Sequence, residues 1–180
     1  MVNSPGDEKV GAAVTLGLLA AWALHDAEEL ATVSGWWRRE LPALRERFPA
    51  VPQAVWRRAG SVDGREFAVA VGAMAAVVAA ASAAGRLTGG RSAAYQTALN
   101  AFGLHGLVHL AQAAAARGYT PGSATSPLVV PFTLWARHRL RRAGVLRATR
   151  PRDLAVGLGF AGAATVGAHA VARRLTGRGA

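Results

Sequence analysis

Long uncharged stretches of this chain are separated by short groups of charged residues. Four runs contain no Lys, Arg, Asp or Glu, and they comprise 19, 25, 19 and 19 residues: Phe67–Gly85, Ser92–Ala116, Gly118–Ala136 and Leu154–Ala172. At about 1.5 Å of rise per helical residue, each run is long enough to cross a hydrocarbon layer roughly 30 Å thick. A helix of a soluble protein normally keeps a charged face towards water, so the pattern predicts membrane-spanning helices.

A fifth apolar segment precedes these runs. It extends from Val10 to Trp37 and is interrupted by the acidic stretch His25–Glu29. From residue 38 to residue 65 the chain is rich in arginine and proline, and its amphipathic pattern predicts a helix on the membrane surface. Prolines inside the run Gly118–Ala136 leave open whether that run crosses the membrane. We expect an all-α, polytopic transmembrane helical bundle of four to five spans, with an interfacial helix in residues 38–65 and one membrane-embedded domain over residues 1–180.

Charge and cysteine content limit the partners and cofactors. The net charge is +11, and in a soluble chain this balance would suggest nucleic acid as a partner. Here the arginines lie mainly between the apolar runs, where they would face phospholipid headgroups, so we expect a lipid bilayer and no nucleic acid. The chain has no cysteine, so a metal ion would have to be bound by histidine and carboxylate side chains.

Three ionisable side chains share one face of the first predicted span. His25, Glu28 and Glu29 stand at positions i, i+3 and i+4 of a helix, whereas Asp26 is rotated by about 100° from His25. Burying an acidic group at membrane depth costs at least roughly 2.5–3.5 kcal/mol. These groups therefore need compensation, and a divalent cation would supply it.

A second pair makes a metal site more attractive. His105 and His109 are one helical turn apart near the middle of their run, as the acidic stretch is near the middle of its own. Two packed helices would bring five groups around one cavity: His25, Glu28, Glu29, His105 and His109. This donor set suits iron, manganese or zinc. A metal-free polar network or proton path is the alternative for buried acids.

The stretch His25–Glu29 reads His-Asp-Ala-Glu-Glu. It resembles the signature of the HXXEE family, small bacterial multi-pass membrane proteins that are mostly of unknown function. The resemblance spans about residues 10–131, implies a location in the bacterial inner membrane, and implies that His25, Glu28 and Glu29 are functional residues. Other recurrent features of the family are resembled by Asn100, His105, His109 and the segment Tyr119–Gly122.

The donor set and its membrane setting favour a non-haem iron or di-iron oxidase or oxygenase that acts on a small or lipophilic substrate. In this hypothesis the metal has four ligands, His25, Glu29, His105 and His109. Glu28 would act as the catalytic residue, bridging a second metal ion or accepting a proton. The sequence has no glycine-rich phosphate loop, so electrons would come from a separate donor protein. A zinc-dependent hydrolase with the same ligands and a non-enzymatic transporter or structural bundle are the alternatives.

Overall fold

The computed structural model describes residues 10–60 and 63–148, together with Gly159 and Gly167. In this part of the chain every regular element is a helix, which confirms the all-α prediction. The helices are α1 (Ala12–Thr15), α2 (Gly17–Arg47), α3 (Gln53–Gly60), α4 (Gly64–Leu87), α5 (Ala93–Ala116) and α6 (Ser126–Arg142). The predicted last span, Leu154–Ala172, lies outside the described residues except for Gly159 and Gly167.

The first apolar segment forms α1 and most of α2, with a break at Leu16. α2 does not end at Trp37 but continues through Pro42 to Arg47. Arginine, leucine, alanine and glutamate dominate this extension, and all four favour helix even where they are polar. The predicted interfacial helix over residues 38–65 is therefore corrected to two pieces, the end of α2 and the separate short helix α3.

A tight turn connects α4 to α5. Gly89 and Gly90 have φ values of +58° and +86°, a backbone conformation that side chains with a Cβ rarely adopt. Ser92 then caps α5, because its hydroxyl accepts a hydrogen bond from the Tyr95 N–H at 3.3 Å. The two helices pack against each other as the hairpin expected from the sequence.

Among the described helices, only α4 is long and apolar enough to cross a membrane by length and composition. The predicted bundle of four to five spans is therefore not supported by the described residues. α2 carries the acidic stretch and a basic end. α5 has polar side chains along its length that lower its hydropathy: Gln96, Asn100, His105, His109 and Gln112. α6 has 17 residues and ends in Arg139, Arg141 and Arg142.

The uncharged run 118–136 is not one element. Its first part is a loop containing Gly122 at a φ of +83°, and α6 begins only at Ser126, with Pro127 in its first turn. Proline suits that position because its missing N–H would have no partner there, whereas a positive φ cannot belong to a helix. The loop Gly118–Thr125 therefore interrupts the predicted span, and this loop forms part of the candidate site.

Small residues on α5 let α6 approach closely. A Cβ built on Gly103 would lie 2.6 Å from Thr133 Cγ2, and one built on Gly106 would lie 2.9 Å from Val129 Cγ1. Residue numbers rise on α5 as they fall on α6, so the two helices are antiparallel. The N-terminus of α6 and the loop before it are thereby held beside the second half of α5, where His109 lies.

Candidate metal centre

Four potential metal ligands come together between α2 and α5. The structure offers one ligand atom from each of His25, Glu29, His105 and His109, and these atoms all lie within 4.8 Å of one another. Each helix contributes two side chains spaced by one turn, so both members of a pair project to the same side. The spacing in the sequence thus predicted that these two pairs of side chains would come together.

The closest contacts involve His109. Its Nε2 atom is 2.9 Å from His105 Nε2 and 3.3 Å from Glu29 Oε1. The His25 ring centre lies 5.0 Å from that of His105 and 4.9 Å from that of His109. His25 and His109 are buried, at 0% and 7% exposure, whereas His105 lies on the exposed side of the cluster. The group is therefore accessible from one side.

Hydrogen bonds fix which nitrogen of His25 faces the cluster. Thr125 Oγ1 lies 2.6 Å from Glu28 Oε2 and 2.8 Å from His25 Nδ1. Because an ionised carboxylate can only accept, the threonine hydroxyl donates to it and accepts from the Nδ1–H of the imidazole. Nε2 of His25 is then the unprotonated nitrogen. It is buried and has no hydrogen-bond partner among the described residues, as expected of a nitrogen that could bind a metal ion.

Glu28 lies outside the four-residue group. Its Oε1 accepts hydrogen bonds from the Tyr119 hydroxyl at 2.8 Å and the Ala124 N–H at 3.1 Å. Its Oε2 accepts from the Thr125 N–H at 2.8 Å and from the Thr125 hydroxyl. The carboxylate binds here because the N–H groups just before α6 have no partner within the helix and carry partial positive charge. The expected contact between Glu28 and the metal group is not seen.

The backbone of the loop covers two of the imidazole rings at Gly122. A Cβ at this position would lie 2.7 Å from His109 Cε1 and Nδ1 and 2.9 Å from His25 Cε1. Together with the positive φ, this close approach leaves room for glycine alone. Sequence reasoning assigned no role to Gly122 or Thr125. The Pro-Gly pair of the loop was the available signal, since it marks a turn whose second residue needs a positive φ.

Asn100 lies away from the cluster. Its side-chain oxygen accepts a hydrogen bond from Arg137, which links α5 to α6. A cavity of about 420 Å³ adjoins the cluster on another side, where Glu29 and His109 form part of its wall. The four-residue group is therefore closely packed between α2, α5 and the loop, and the cavity adjoins two of its members, Glu29 and His109.

The model of one protein family matches residues 16–136, about two thirds of the chain. The family is described as "Protein of unknown function with HXXEE motif". No curated protein and no solved structure matches.

Proposed function

The chain belongs to the family of proteins with the HXXEE motif, and we propose that the motif supplies half of a metal centre. A single divalent ion is bound by His25, Glu29, His105 and His109. The observation that carries this proposal is the convergence of four ligand atoms from two helices within 4.8 Å. The orphaned Nε2 of His25 adds to it, because buried nitrogens rarely lack a partner.

One ion fits the cluster better than two. Ligands bound at roughly 2.0–2.2 Å around one tetrahedral ion are separated by roughly 3.4 Å, close to the 3.3 Å between His109 Nε2 and Glu29 Oε1. Two ions about 3.5–4 Å apart would need a further bridging group. Glu28 could bridge in principle, but four hydrogen bonds hold it on the loop. We therefore assign Glu28 the role of a positioning residue.

An iron-dependent oxidase or oxygenase is the activity that this arrangement supports best. A zinc-dependent hydrolase would need a free general base beside the metal-bound water. Glu29 belongs to the metal group, Glu28 is held by the loop, and Asp26 is buried outside the cluster. Bound iron would supply redox chemistry with dioxygen, and the electrons would come from a separate donor protein. The protein's residues hold the ion, fix the tautomer of one ligand and keep one side covered.

We further propose that the centre lies within the bacterial inner membrane. Only 22% of the most apolar window of α4 is buried, whereas the core helix of a soluble protein would be mostly covered. Large apolar side chains face outwards on the other helices as well, including Leu107 at 50%, Leu128 at 60% and Leu134 at 62% exposure. Exposure of large apolar side chains on several helices favours contact with lipid.

Metal analysis of the detergent-purified protein tests the proposed centre. We expect about one iron ion per chain, and we expect that His25→Ala or His109→Ala removes it. His138→Ala is the matched control, because His138 is an exposed histidine of α6 outside the cluster. Two ions per chain would refute the single-ion site, and zinc in place of iron would favour the hydrolase. A folded preparation that binds no divalent metal would refute the centre itself.

A further inference from the structure

The cavity beside the cluster has a wall of aromatic rings. Trp36 and Trp37 of α2, Phe48 after it, Trp56 of α3 and Phe67 of α4 all line it. Its volume of about 420 Å³ falls within the range of roughly 300–1,000 Å³ that is usual for small-molecule sites. Three indole and two phenyl rings provide an apolar surface that would suit a hydrocarbon ligand.

Part of this wall is fixed before any ligand arrives. The indole N–H of Trp36 donates a 2.8 Å hydrogen bond to the carbonyl oxygen of Tyr119. Trp37 packs edge to face against Trp36, with ring centres 5.0 Å apart. Trp56 is buried at 7% exposure. A preformed wall lowers the entropic cost of binding, because few side chains must be ordered.

The cavity is lined by four side chains with polar groups besides the indoles, namely Glu29, His109, Gln112 and Thr120. Glu29 and His109 belong to the cluster, and Thr120 lies on the loop that covers it. Thr120 is 4% exposed, and its hydroxyl has no hydrogen-bond partner within the part of the chain that is described. Unpaired buried groups of this kind are costly unless a ligand satisfies them.

The charge of the lining selects against anions. Glu29 is the only charged side chain among the described residues that line the cavity, although the whole chain has a net charge of +11. An anionic ligand would find no Lys or Arg among these lining residues, and Glu29 would repel it wherever a bound ion does not neutralise the carboxylate. A neutral ligand avoids that repulsion and loses little hydration free energy on entering an apolar cavity.

We propose that this cavity binds an uncharged, medium-chain amphiphile resembling a fatty alcohol. Its hydrocarbon chain lies against the aromatic wall, and its one polar group reaches Thr120, Glu29 and His109. The inference rests on the proposed function in one respect, since the polar group would then lie beside the metal ion as a substrate does. It names the substrate class that the metal centre would act on.

Saturable quenching of tryptophan fluorescence by a brominated medium-chain fatty alcohol tests this proposal in lipid nanodiscs. Bromine quenches indoles on contact, and three indoles line the cavity. Ala115 also lines it, so Ala115→Phe fills the space and is expected to weaken binding about tenfold or more. Ala114→Phe is the matched control, because Ala114 is an exposed neighbour on the same helix that is not part of the lining.

A second variant protects the test against a folding defect. Thr120→Val removes the unpaired hydroxyl with little change in volume and should weaken binding of the alcohol severalfold, which corresponds to the loss of one hydrogen bond. In protein freed of metal by a chelator, where Glu29 is not neutralised by an ion, the brominated fatty acid of the same chain length should bind at least tenfold more weakly than the alcohol. Equal binding by Ala115→Phe and Ala114→Phe, or equal binding of acid and alcohol, would overturn the proposal.

Metal content measured on the same preparations separates the two proposals. Protein that binds the alcohol saturably but holds no metal would support the cavity and refute the metal centre. Protein that holds one metal ion but shows no saturable quenching would refute the cavity and leave the centre standing. Loss of the metal in Ala115→Phe would show that the variant disturbs the centre, and the result for Thr120→Val would then decide.

Discussion

Thr125 donates a 2.6 Å hydrogen bond from its hydroxyl to the carboxylate of Glu28, so the motif on α2 is tied to a loop from a distant part of the chain. The oxygen of the same hydroxyl accepts a hydrogen bond from the Nδ1–H of His25. Through the hydroxyl oxygen of Thr125, Glu28, which lies outside the cluster, sets the orientation of His25, which belongs to it. Side chains that hydrogen-bond to a metal-binding histidine fix its tautomer and the orientation of its ring.

Glu28→Gln should weaken the centre without removing a ligand. The amide keeps one accepting oxygen but has an NH2 donor in place of the other, so it cannot accept all four hydrogen bonds that the carboxylate accepts from the loop. We expect metal affinity to fall about 10- to 100-fold, with the stoichiometry unchanged at saturating metal. A titration against a competing chelator measures both quantities. A stoichiometry reduced as far as in His25→Ala would instead identify Glu28 as a ligand.

Thr125→Val should resemble Glu28→Gln, because it removes the hydroxyl that accepts from His25 and donates to Glu28. Without that acceptor the imidazole is no longer held in the tautomer that leaves Nε2 free. We expect about 10- to 100-fold weaker metal binding. Thr125→Ser keeps the hydroxyl and serves as the control. If valine and serine variants bound the metal equally well, the hydroxyl would have no positioning role.

Gly122→Ala should destabilise the loop and the centre together. The new Cβ would meet the rings of His109 and His25, and alanine at a φ of +83° adds strain of about 1–2 kcal/mol. We expect a lower thermal unfolding midpoint and loss of the metal. Gly118→Ala is the control from the same loop, since a Cβ there has no neighbour within 4 Å. Equal midpoints for the two variants would contradict the close packing described for Gly122.

The proposed membrane location of α4 predicts that the free-energy cost of adding a charge to this helix depends strongly on the depth of the charge. Ala76 and Ala83 are both exposed on this helix, the first near its middle and the second near Arg86 at its end. Ala76→Arg should cost about 2.5–3.5 kcal/mol of insertion free energy, whereas Ala83→Arg should cost far less because its charge can reach the headgroups. A glycosylation reporter of insertion measures the difference. Equal insertion of both variants would place α4 outside the hydrocarbon layer.

Helical spacing predicted the two ligand pairs, because residues one turn apart must share a face whatever surrounds them. It could not separate Glu28 from Glu29, since both lie on the same face as His25. Their different roles depend on a loop 91 to 97 residues further along the chain. Hydropathy also could not place the end of α2, because the loss of apolar character at Arg38 marks a change of surroundings and not of backbone conformation.

Among the hydrogen bonds that join the loop to α2, Trp36 donates to the carbonyl oxygen of Tyr119 at the start of the loop, and Glu28 accepts from the N–H of Thr125 at its end. Trp36 and Glu28 are separated by roughly 12 Å along the helix axis at 1.5 Å per residue. The length of α2 between these two residues must therefore match the length of the loop. Insertion or deletion of one residue between them would turn Trp36 by about 100° and detach one end of the loop. The number of residues between Glu28 and Trp36 is therefore fixed by the loop, just as the residue types of the motif are fixed by their chemistry.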